Sequence, residues 1–517
     1  MQKQIITSAI ALTLFGCGGG ESGNSGNPTP PVKNYTIDFL GTSLQATIGN
    51  CQVFGYGPEK ENGERERVIA FKTQPSTSRY EVFIHNADGT VRQHFRGSDL
   101  NTQQLRFAQN KIPNDGYLSF AYFQSRAGTD SADITTFAKS VLPDSFSIET
   151  RVDRRGDSCL GPNTINPNPR DNLEGYIFPL LGGGISDFYL GFNTAYQNLE
   201  NLTATYLREK DLPSKIVFSS QDRPLLAIQY TTNTEGTKLE QPLGFKFTPF
   251  STRGTQSAEL RLERVDWNNS TWLQPNDWTI ENAFLFVNGK QVLPSANYAY
   301  LWQPLIENNT VIHNKFSYSE SIGDNNYYLY LQGKQDANGN PLYWGMQHVA
   351  QGTTNRGASI NANEQLNLNQ LPPAEVPILD TCKADSTRQC LLINTNNLPS
   401  HAGIQRAVLT ANSISSPFSL KQVFYTTIQD ELPILLFNRS DLDTGLDKNT
   451  ANSSISLLIS DSKSVQEAFL YQHQTFEPER LSDLNIDYLP LLKNIAAQQD
   501  QQDLLKRQPY TWVWLEE

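Results

Sequence analysis

From Tyr35 onward, short runs rich in β-branched and aromatic residues alternate with turn signals every 8–15 residues. Residues 80–84 (YEVFI) and 117–122 (YLSFAY) are two such runs. After the first of them, the Asp88-Gly89 pair supplies the positive φ that a tight hairpin turn requires. Regular short strands without intervening helices favour sandwiches over βαβ units, so the sequence predicts a mainly β protein of tandem antiparallel, Ig-like β-sandwich domains.

Proline-rich stretches at 161–169 (GPNTINPNP) and 371–377 (LPPAEVP) indicate linkers between folded units. A length of 517 residues is sufficient for several domains. We therefore predict a first sandwich domain over residues 35–160, a second β-rich domain over 170–370 with an aromatic-rich insertion, and a third β-rich domain over 378–517.

One short helix is predicted near the C-terminus. Its apolar residues follow a broken helical period at Leu489, Leu492, Ile495, Ala496, Leu504 and Leu505. Pro509 would end this helix, and residues 510–515 (YTWVWL) predict a final strand.

Two stretches of the predicted second and third domains are similar in sequence. Residues 281–286 (ENAFLF) and 466–471 (QEAFLY) share their apolar pattern, and each follows a segment of the form KxVF, at 215–218 and 421–424. Either the two domains are related sandwiches, with an insertion in the second, or two β-rich segments are similar by chance.

The N-terminal residues indicate export. An uncharged run over residues 5–15 follows Lys3 and is too short to cross a bilayer as a final helix. The next residues, 14–17 (LFGC), resemble the lipobox of bacterial lipoproteins. The resemblance implies that residues 1–16 are a signal peptide and that Cys17 carries the lipid. The alternative is an ordinary signal peptide in which the cysteine occurs by chance.

The resemblance to lipoproteins also implies a destination. Gly18, rather than Asp, follows the cysteine, which implies the outer membrane of a Gram-negative cell with Cys17 acylated by palmitate-type chains. Residues 17–34 are rich in Gly, Ser and Pro and predict a flexible tether. Whether the domains face the periplasm or the exterior is left open by the sequence.

Four further cysteines are expected to form structural disulfides, because an exported chain folds in an oxidising compartment. Of the three possible pairings, Cys51–Cys159 and Cys382–Cys390 are favoured, since each then lies within one predicted domain.

The charge balance argues against a nucleic-acid partner. The net charge is −12 and the pI is near 5.1, which removes the electrostatic attraction that such binding needs. The chain also has no GxSxG, HExxH or P-loop motif, and its six histidines are scattered, so the sequence identifies no catalytic residue.

Aromatic residues crowd the predicted second domain among Asn, Gln and Ser. Its five tryptophans are Trp267, Trp272, Trp278, Trp302 and Trp344. Flat rings beside amides are typical of sugar-binding surfaces, so these residues form a candidate glycan-binding site; the alternative is that they pack a sandwich core.

Alternating carboxylates at Asp441, Asp443 and Asp447 form a candidate structural calcium site, although they fall short of an EF-hand. The alternative is a solvated turn. No other cofactor is expected.

Taken together, these features favour an outer-membrane-anchored lipoprotein with a non-catalytic binding or scaffolding role at the cell envelope, such as adhesion or attachment to a pilus or matrix. The expected partners are the membrane, through the lipid anchor, and an envelope protein or polysaccharide that the sequence does not identify. The alternative is a glycan-binding or glycan-processing envelope lipoprotein.

Overall fold

The computed structural model describes the backbone over most of the chain after the predicted tether. The described residues are 33–47, 49–59, 65–76, 79–126, 129–150, 155–161, 172–178, 188–193, 205–208, 216–219, 225–232, 239–248, 258–271, 279–288, 299–307, 309–311, 315–322, 326–337, 340–349, 375–395, 403–415, 417–471, 491–494, 497–498, 501, 504–505 and 507–516. Residues Asn34–Glu517 make up one compact unit. Within the described residues, every helix is too short or too polar to cross a membrane.

In the first part of the chain, the described residues form ten strands and three short 3-10 helices. The strands are β1 (Asn34–Gln45), β2 (Val53–Glu59), β3 (Arg65–Thr73), β4 (Tyr80–His85), β5 (Val91–Phe95), β6 (Gln104–Ala108), β7 (Tyr117–Arg126), β8 (Thr129–Ala138), β9 (Ser145–Glu149) and β10 (Arg155–Cys159). Short 3-10 helices occupy Gly97–Leu100, Gln109–Lys111 and Lys139–Val141.

The middle of the chain continues as strands. They are β11 (Asn172–Phe178), β12 (Phe188–Asn193), β13 (Thr205–Arg208), β14 (Ile216–Ser219), β15 (Leu225–Thr232), β16 (Leu239–Thr248), β17 (Ala258–Arg261), β18 (Glu263–Arg264), β19 (Asp266–Thr271), β20 (Ile280–Asn288), β21 (Ala299–Glu307), β22 (Thr310–Val311), β23 (Lys315–Tyr318), β24 (Tyr327–Ala337) and β25 (Asn340–Val349).

The last part adds eight strands and a helix. The strands are β26 (Ile378–Thr381), β27 (Gln389–Leu392), β28 (Gly403–Asn412), β29 (Phe418–Thr427), β30 (Glu431–Pro433), β31 (Asn452–Ile459), β32 (Leu491–Leu492) and β33 (Tyr510–Glu516). A 3-10 helix spans Lys448–Thr450, and the helix α1 spans Lys463–Phe469. The predicted mainly β fold is confirmed.

The largest sheet combines strands from all three parts of the chain. Its thirteen strands run in the order β22-β21-β20-β24-β25-β33-β31-β28-β29-β8-β7-β4-β5. Within this sheet, two pairings join the parts: β8 lies parallel to β29, and β33 lies antiparallel to β25 on one side and to β31 on the other. We call this sheet the central sheet.

Both faces of the central sheet are buried. Along β4, Phe83 belongs to one hydrophobic cluster, while its neighbours Val82 and Ile84 belong to another. The second cluster also contains Ile37 and Phe39 of β1, so the seven-stranded sheet that contains β1 covers that face. The strict alternation of side chains along a strand explains why residues that are adjacent in sequence enter different cores.

The two segments with similar sequences, residues 281–286 and 466–471, adopt different secondary structures. Residues 281–286 lie in strand β20, whereas residues 466–471 overlap helix α1 and its C-terminal turn. The helix buries Val465, Ala468 and Phe469, and this i, i+3, i+4 spacing places all three on one face. The shared letters therefore do not reflect a shared conformation.

The predicted C-terminal helix is present only in part. Leu492 belongs to strand β32, which pairs with β9, while residues 497–498, 501 and 504–505 are helical. Leu489, Ile495 and Ala496 lie outside the described residues. Leu505 is buried, and the predicted final strand is confirmed as β33.

Two glycines leave room for two buried tryptophans on neighbouring strands. In the register of the central sheet, Gly333 faces Trp344, and Gly345 faces Trp512. A Cβ atom added at Gly345 would lie 2.0 Å from Nε1 of Trp512, and one at Gly333 would lie 2.6 Å from Cζ2 of Trp344. Each indole thus occupies the space above a residue that has no side chain.

This packing predicts that Gly345→Ala destabilises the protein mainly through Trp512. We expect the free energy of unfolding to fall by about 1–3 kcal/mol, because overfilling a packed core forces side chains off their preferred rotamers. The measurement is a double-mutant cycle in urea with Gly345→Ala, Trp512→Leu and the double variant. When Trp512→Leu is already present, Gly345→Ala should cost much less, because the clashing ring is absent; additive effects of the two substitutions would contradict this account.

Candidate functional site

Both predicted disulfides are confirmed. Cys51 and Cys159 have Cα atoms 5.6 Å apart and join residues separated by 108 positions, and Cys382 and Cys390 have Cα atoms 4.9 Å apart across eight positions. The first bond closes a long loop, which nominally stabilises the fold by about 4–5 kcal/mol through the unfolded state. The second closes a small hairpin.

That hairpin, residues 378–392, is here called the disulfide hairpin. Its strands β26 and β27 pair with each other, and β27 also pairs with β30. The side-chain amide of Gln389 donates to the carbonyl of Leu446 at 2.8 Å and accepts from the Leu446 backbone N–H at 2.7 Å. This double hydrogen bond fixes one side of the hairpin to the loop after β30.

Arg388 fixes the other side of the disulfide hairpin. Its Nη1 donates to the carbonyl of Asp88, and its Nη2 donates to the carbonyl of Ile434 at 3.2 Å. Asp88 lies in the turn between β4 and β5, where Gly89 has the positive φ of +82° that the sequence predicts. Arg388 therefore joins a hairpin of the last third of the chain to a turn of the first third.

Between these elements lies a cleft of about 530 Å³. Its lining is contributed by the disulfide hairpin and β30 on one side and by the first third of the chain on the other. The charged lining residues are Asp88, Asp115, Asp385, Arg388 and Glu431. Four carboxylates and one guanidinium give the lining a formal charge of −3. The cleft thus favours cations and hydrogen-bond donors.

Two of the cleft carboxylates belong to similar turns. Asp88 Oδ1 accepts from the backbone N–H and the hydroxyl of Thr90, at 2.9 and 2.6 Å, and Asp385 accepts from the same groups of Thr387. These hydrogen bonds lower the pKa of both carboxyls, so the turns hold negative charge in fixed positions. Tyr117, also in the lining, is buried, and burial raises its pKa, which keeps its hydroxyl protonated.

The three aspartates of the candidate calcium site each stabilise a different part of one loop. Asp441 pairs with the guanidinium of Arg439, with 3.0 Å between Oδ2 and Nη2. Asp443 accepts from the backbone N–H groups of Phe437 and Arg439, and Asp447 accepts from the N–H of Asn449. Among the described residues, the ligand atoms of these three carboxylates do not converge on one point, and each carboxylate accepts hydrogen bonds within its own loop. The calcium site stays a prediction.

The tryptophans of the candidate glycan site divide into two groups. Trp302 and Trp344 have no exposed surface; Trp302 donates from Nε1 to the carbonyl of Ser317 at 2.9 Å. These two rings pack the core, as the alternative reading of the sequence has it. The backbone of Trp267 lies in strand β19, but the structure does not describe its side chain. Trp272 and Trp278 are not among the described residues. Cys17 also lies outside them.

Besides the charged residues of the cleft, a group of polar residues lies next to the turn between β4 and β5. His94 Nε2 is 2.7 Å from Glu81 Oε2, and the His94 ring stacks on Phe83 at 4.2 Å. His85, at the end of β4, is fully buried between Phe83 and Phe437. Burial and, to a smaller extent, the nearby His94 lower the pKa of His85 to about 3, so this imidazole is neutral at physiological pH.

Sequence reasoning missed the cleft because its walls are distant in the chain. Asp88 and Arg388 are 300 residues apart, and the turn motif at Asp88-Gly89 predicts a hairpin but not its contact with Arg388. The one local signal was the short cysteine spacing, which encloses Asp385 and Arg388. Comparison with known proteins adds no relative: no protein-family model and no curated protein matches this chain.

We predict that Arg388 is the main attachment of the disulfide hairpin to the first third of the chain. Arg388→Ala should lower the free energy of unfolding by about 1.5–3 kcal/mol, because it removes charge-assisted hydrogen bonds to two carbonyls. Urea denaturation, with amide exchange of residues 378–392, measures the effect. Lys383→Ala is the matched control, since its ion pair with Asp430 is exposed and screened by solvent, so that its loss should have little effect on the free energy of unfolding. Equal effects of the two substitutions would contradict the assignment.

We also predict an acid-dependent loss of stability that originates at His85. Since its folded-state pKa of about 3 lies below the ordinary value of 6.5, the unfolded chain binds an extra proton between these values. Stability should therefore fall as the pH decreases from 6.5 toward 3, by up to about 1.4 kcal/mol per pH unit from this group. Urea unfolding across this range should show a shallower dependence in His85→Leu. An unchanged slope would exclude His85 as its source.

Proposed function

We propose that this chain is a lipoprotein of the outer membrane with a non-catalytic binding or scaffolding role at the cell envelope. The observation that carries the proposal is the lipobox-like segment at residues 14–17, followed by a Gly-, Ser- and Pro-rich stretch up to the compact unit, which begins at Asn34. A lipid at Cys17 would thus be separated from the folded unit by a linker of suitable composition.

The structure of the folded unit supports a role as a stable binding surface. Two disulfides, a central sheet buried on both faces and a cleft with fixed charges give a scaffold whose surface is organised in advance. Preorganised surfaces lose little conformational entropy when they bind a partner. We further propose that the sheet containing β1 packs face to face against the central sheet as a β-sandwich.

The cleft is the surface that we propose for contact with a partner. Its carboxylates on the turns at Asp88 and Asp385 are held by hydrogen bonds, and its guanidinium, that of Arg388, is bound to carbonyl groups. The fixed negative charge favours a partner segment that carries basic or hydrogen-bond-donating groups. The glycan-binding alternative would depend on Trp267, Trp272 and Trp278, since Trp302 and Trp344 are in the core.

The anchor is tested by Cys17→Ser in a Gram-negative host. We expect the unmodified chain to incorporate radioactive palmitate and to sediment with outer membranes, whereas the variant should be unlabelled and soluble, because the acyl chains supply the membrane affinity. Cys51→Ser/Cys159→Ser is the matched control, as it removes cysteines without touching the lipobox. Labelling that survives Cys17→Ser would contradict the proposal. Protease treatment of intact and disrupted cells then determines on which side of the membrane the folded unit lies.

A further inference from the structure

Three potential metal ligands meet at the wall of the cleft. The sulfur atoms of Cys382 and Cys390 and a carboxylate oxygen of Glu431 all lie within 4.8 Å of one another. Glu431 Oε1 is 3.5 Å from Cys390 Sγ. Two sulfurs and one carboxylate oxygen form a donor set that zinc accepts, with water in the fourth position of a tetrahedron.

Glu431 is held in position by a hydrogen bond that does not involve the sulfurs. Its Oε2 accepts from the backbone N–H of Lys383 at 3.0 Å, which leaves Oε1 directed at Cys390. Supporting hydrogen bonds of this kind orient ligating carboxylates in metal sites. The same N–H belongs to the residue after Cys382, so one backbone segment positions both a sulfur and the carboxylate.

The disulfide hairpin has many attachments besides its disulfide. Backbone pairing aligns Asp380 with Cys390, and the N–H of Cys382 donates to the carbonyl of Arg388 at 3.0 Å. Gln389 and Arg388 hold the hairpin to its surroundings, as described above. Cleavage of the sulfur–sulfur bond would therefore leave the two cysteines as neighbours, with little backbone entropy to lose on binding a metal.

The cleft gives this site access and a favourable charge. Both cysteines and Glu431 contribute to its lining. Cys382 is half-buried and Cys390 is 2% exposed, so we expect a reductant to reach the disulfide at Cys382. The carboxylates of Asp88, Asp115 and Asp385 share that lining and attract cations. The sequence spacing alone gave no such indication, because seven residues separate the cysteines and Glu431 is 41 residues from Cys390.

We propose that Cys382, Cys390 and Glu431 form a redox-gated binding site for a zinc-like divalent cation. A dithiol reductant, such as a thiol–disulfide oxidoreductase, transfers two electrons and two protons to the disulfide and itself becomes oxidised to a disulfide. The two resulting thiols release their protons when the metal binds, and the carboxylate of Glu431 completes the protein ligands. In the reverse exchange, the disulfide form of such an oxidoreductase accepts two electrons from the two thiolates and two protons from water and becomes a dithiol, so that the Cys382–Cys390 bond re-forms and the ion is released.

The other disulfide provides an internal comparison. Among the residues that the structure describes, Cys51 and Cys159 are not part of a group of three convergent ligands, whereas Cys382 and Cys390 are. Reduction of both bonds should therefore create only one zinc site. The inference does not depend on the proposed anchor, since it concerns the folded unit alone.

The test uses the complete mature chain in its oxidised and its phosphine-reduced form. Each form is titrated with Zn²⁺ in competition with a chromogenic chelator, and free thiols are counted before the titration. We expect the reduced protein to bind one more Zn²⁺ ion per chain than the oxidised protein. Cys51→Ser/Cys159→Ser should keep this site, and Cys382→Ser/Cys390→Ser should lose it.

Glu431→Gln distinguishes a ligand role from a general effect of the thiols. This isosteric change keeps both cysteines and should weaken zinc binding by at least about tenfold, because loss of even a supporting group costs 10–100-fold. Near-UV circular dichroism checks that each variant is folded. The proposal is overturned if the reduced protein and Cys382→Ser/Cys390→Ser bind the same amount of zinc, if Glu431→Gln binds as tightly as the unmodified chain, or if Cys382–Cys390 resists reduction while the protein remains folded.

Discussion

Backbone hydrogen bonds on both sides of the last strand, β33, connect the middle of the chain to its final third. Six residue pairs align this strand with β25, and six align it with β31. Trp512 and Val513 on this strand are buried on opposite faces of the central sheet. A strand with neighbours on both sides and buried side chains on both faces cannot be removed without exposing two cores and two edges. Strand β33 thus joins the two parts of the central sheet that contain β25 and β31.

The parallel pairing of β8 with β29 connects the first third of the chain to its final third. Gln422 donates from Nε2 to the hydroxyl of Thr136 at 3.2 Å within this buried contact, across 286 residues of sequence. At this end of the sheet, His85 of β4 aligns with Tyr117 of β7, and Tyr117 aligns with Ala138 of β8, which places the turn after β4 at the same end as the end of β29. Strand β30, which follows β29, pairs with the disulfide hairpin. The cleft is therefore a consequence of the strand order, and it exists only when the first and last thirds of the chain have come together.

The sequence was sufficient to predict those structural features that depend only on residues close together in the chain. The strands β4 and β7, the turn at Asp88-Gly89 and the final strand follow from runs of β-branched and aromatic residues and from turn residues. Pairing within the sheet could not be obtained in this way, because a run such as residues 117–122 fits many partners equally well. Residues 466–471 show a further limit: their strand-like similarity to residues 281–286 concealed the helical spacing of Val465, Ala468 and Phe469.

Aromatic residues and carboxylates show why residue type alone does not identify a site. Trp344 and Trp512 are each accommodated by a glycine on the neighbouring strand, which the sequence could reveal only with the register known. Asp441 and Asp443 are bound by groups of their own loop, whereas Glu431, which belongs to no motif, has one oxygen fixed and the other directed at a sulfur. A carboxylate is available to a ligand only when the fold fixes its position without using both of its oxygens. By this criterion, Glu431 can serve as a ligand group, whereas both oxygens of Asp441 and of Asp443 already accept hydrogen bonds.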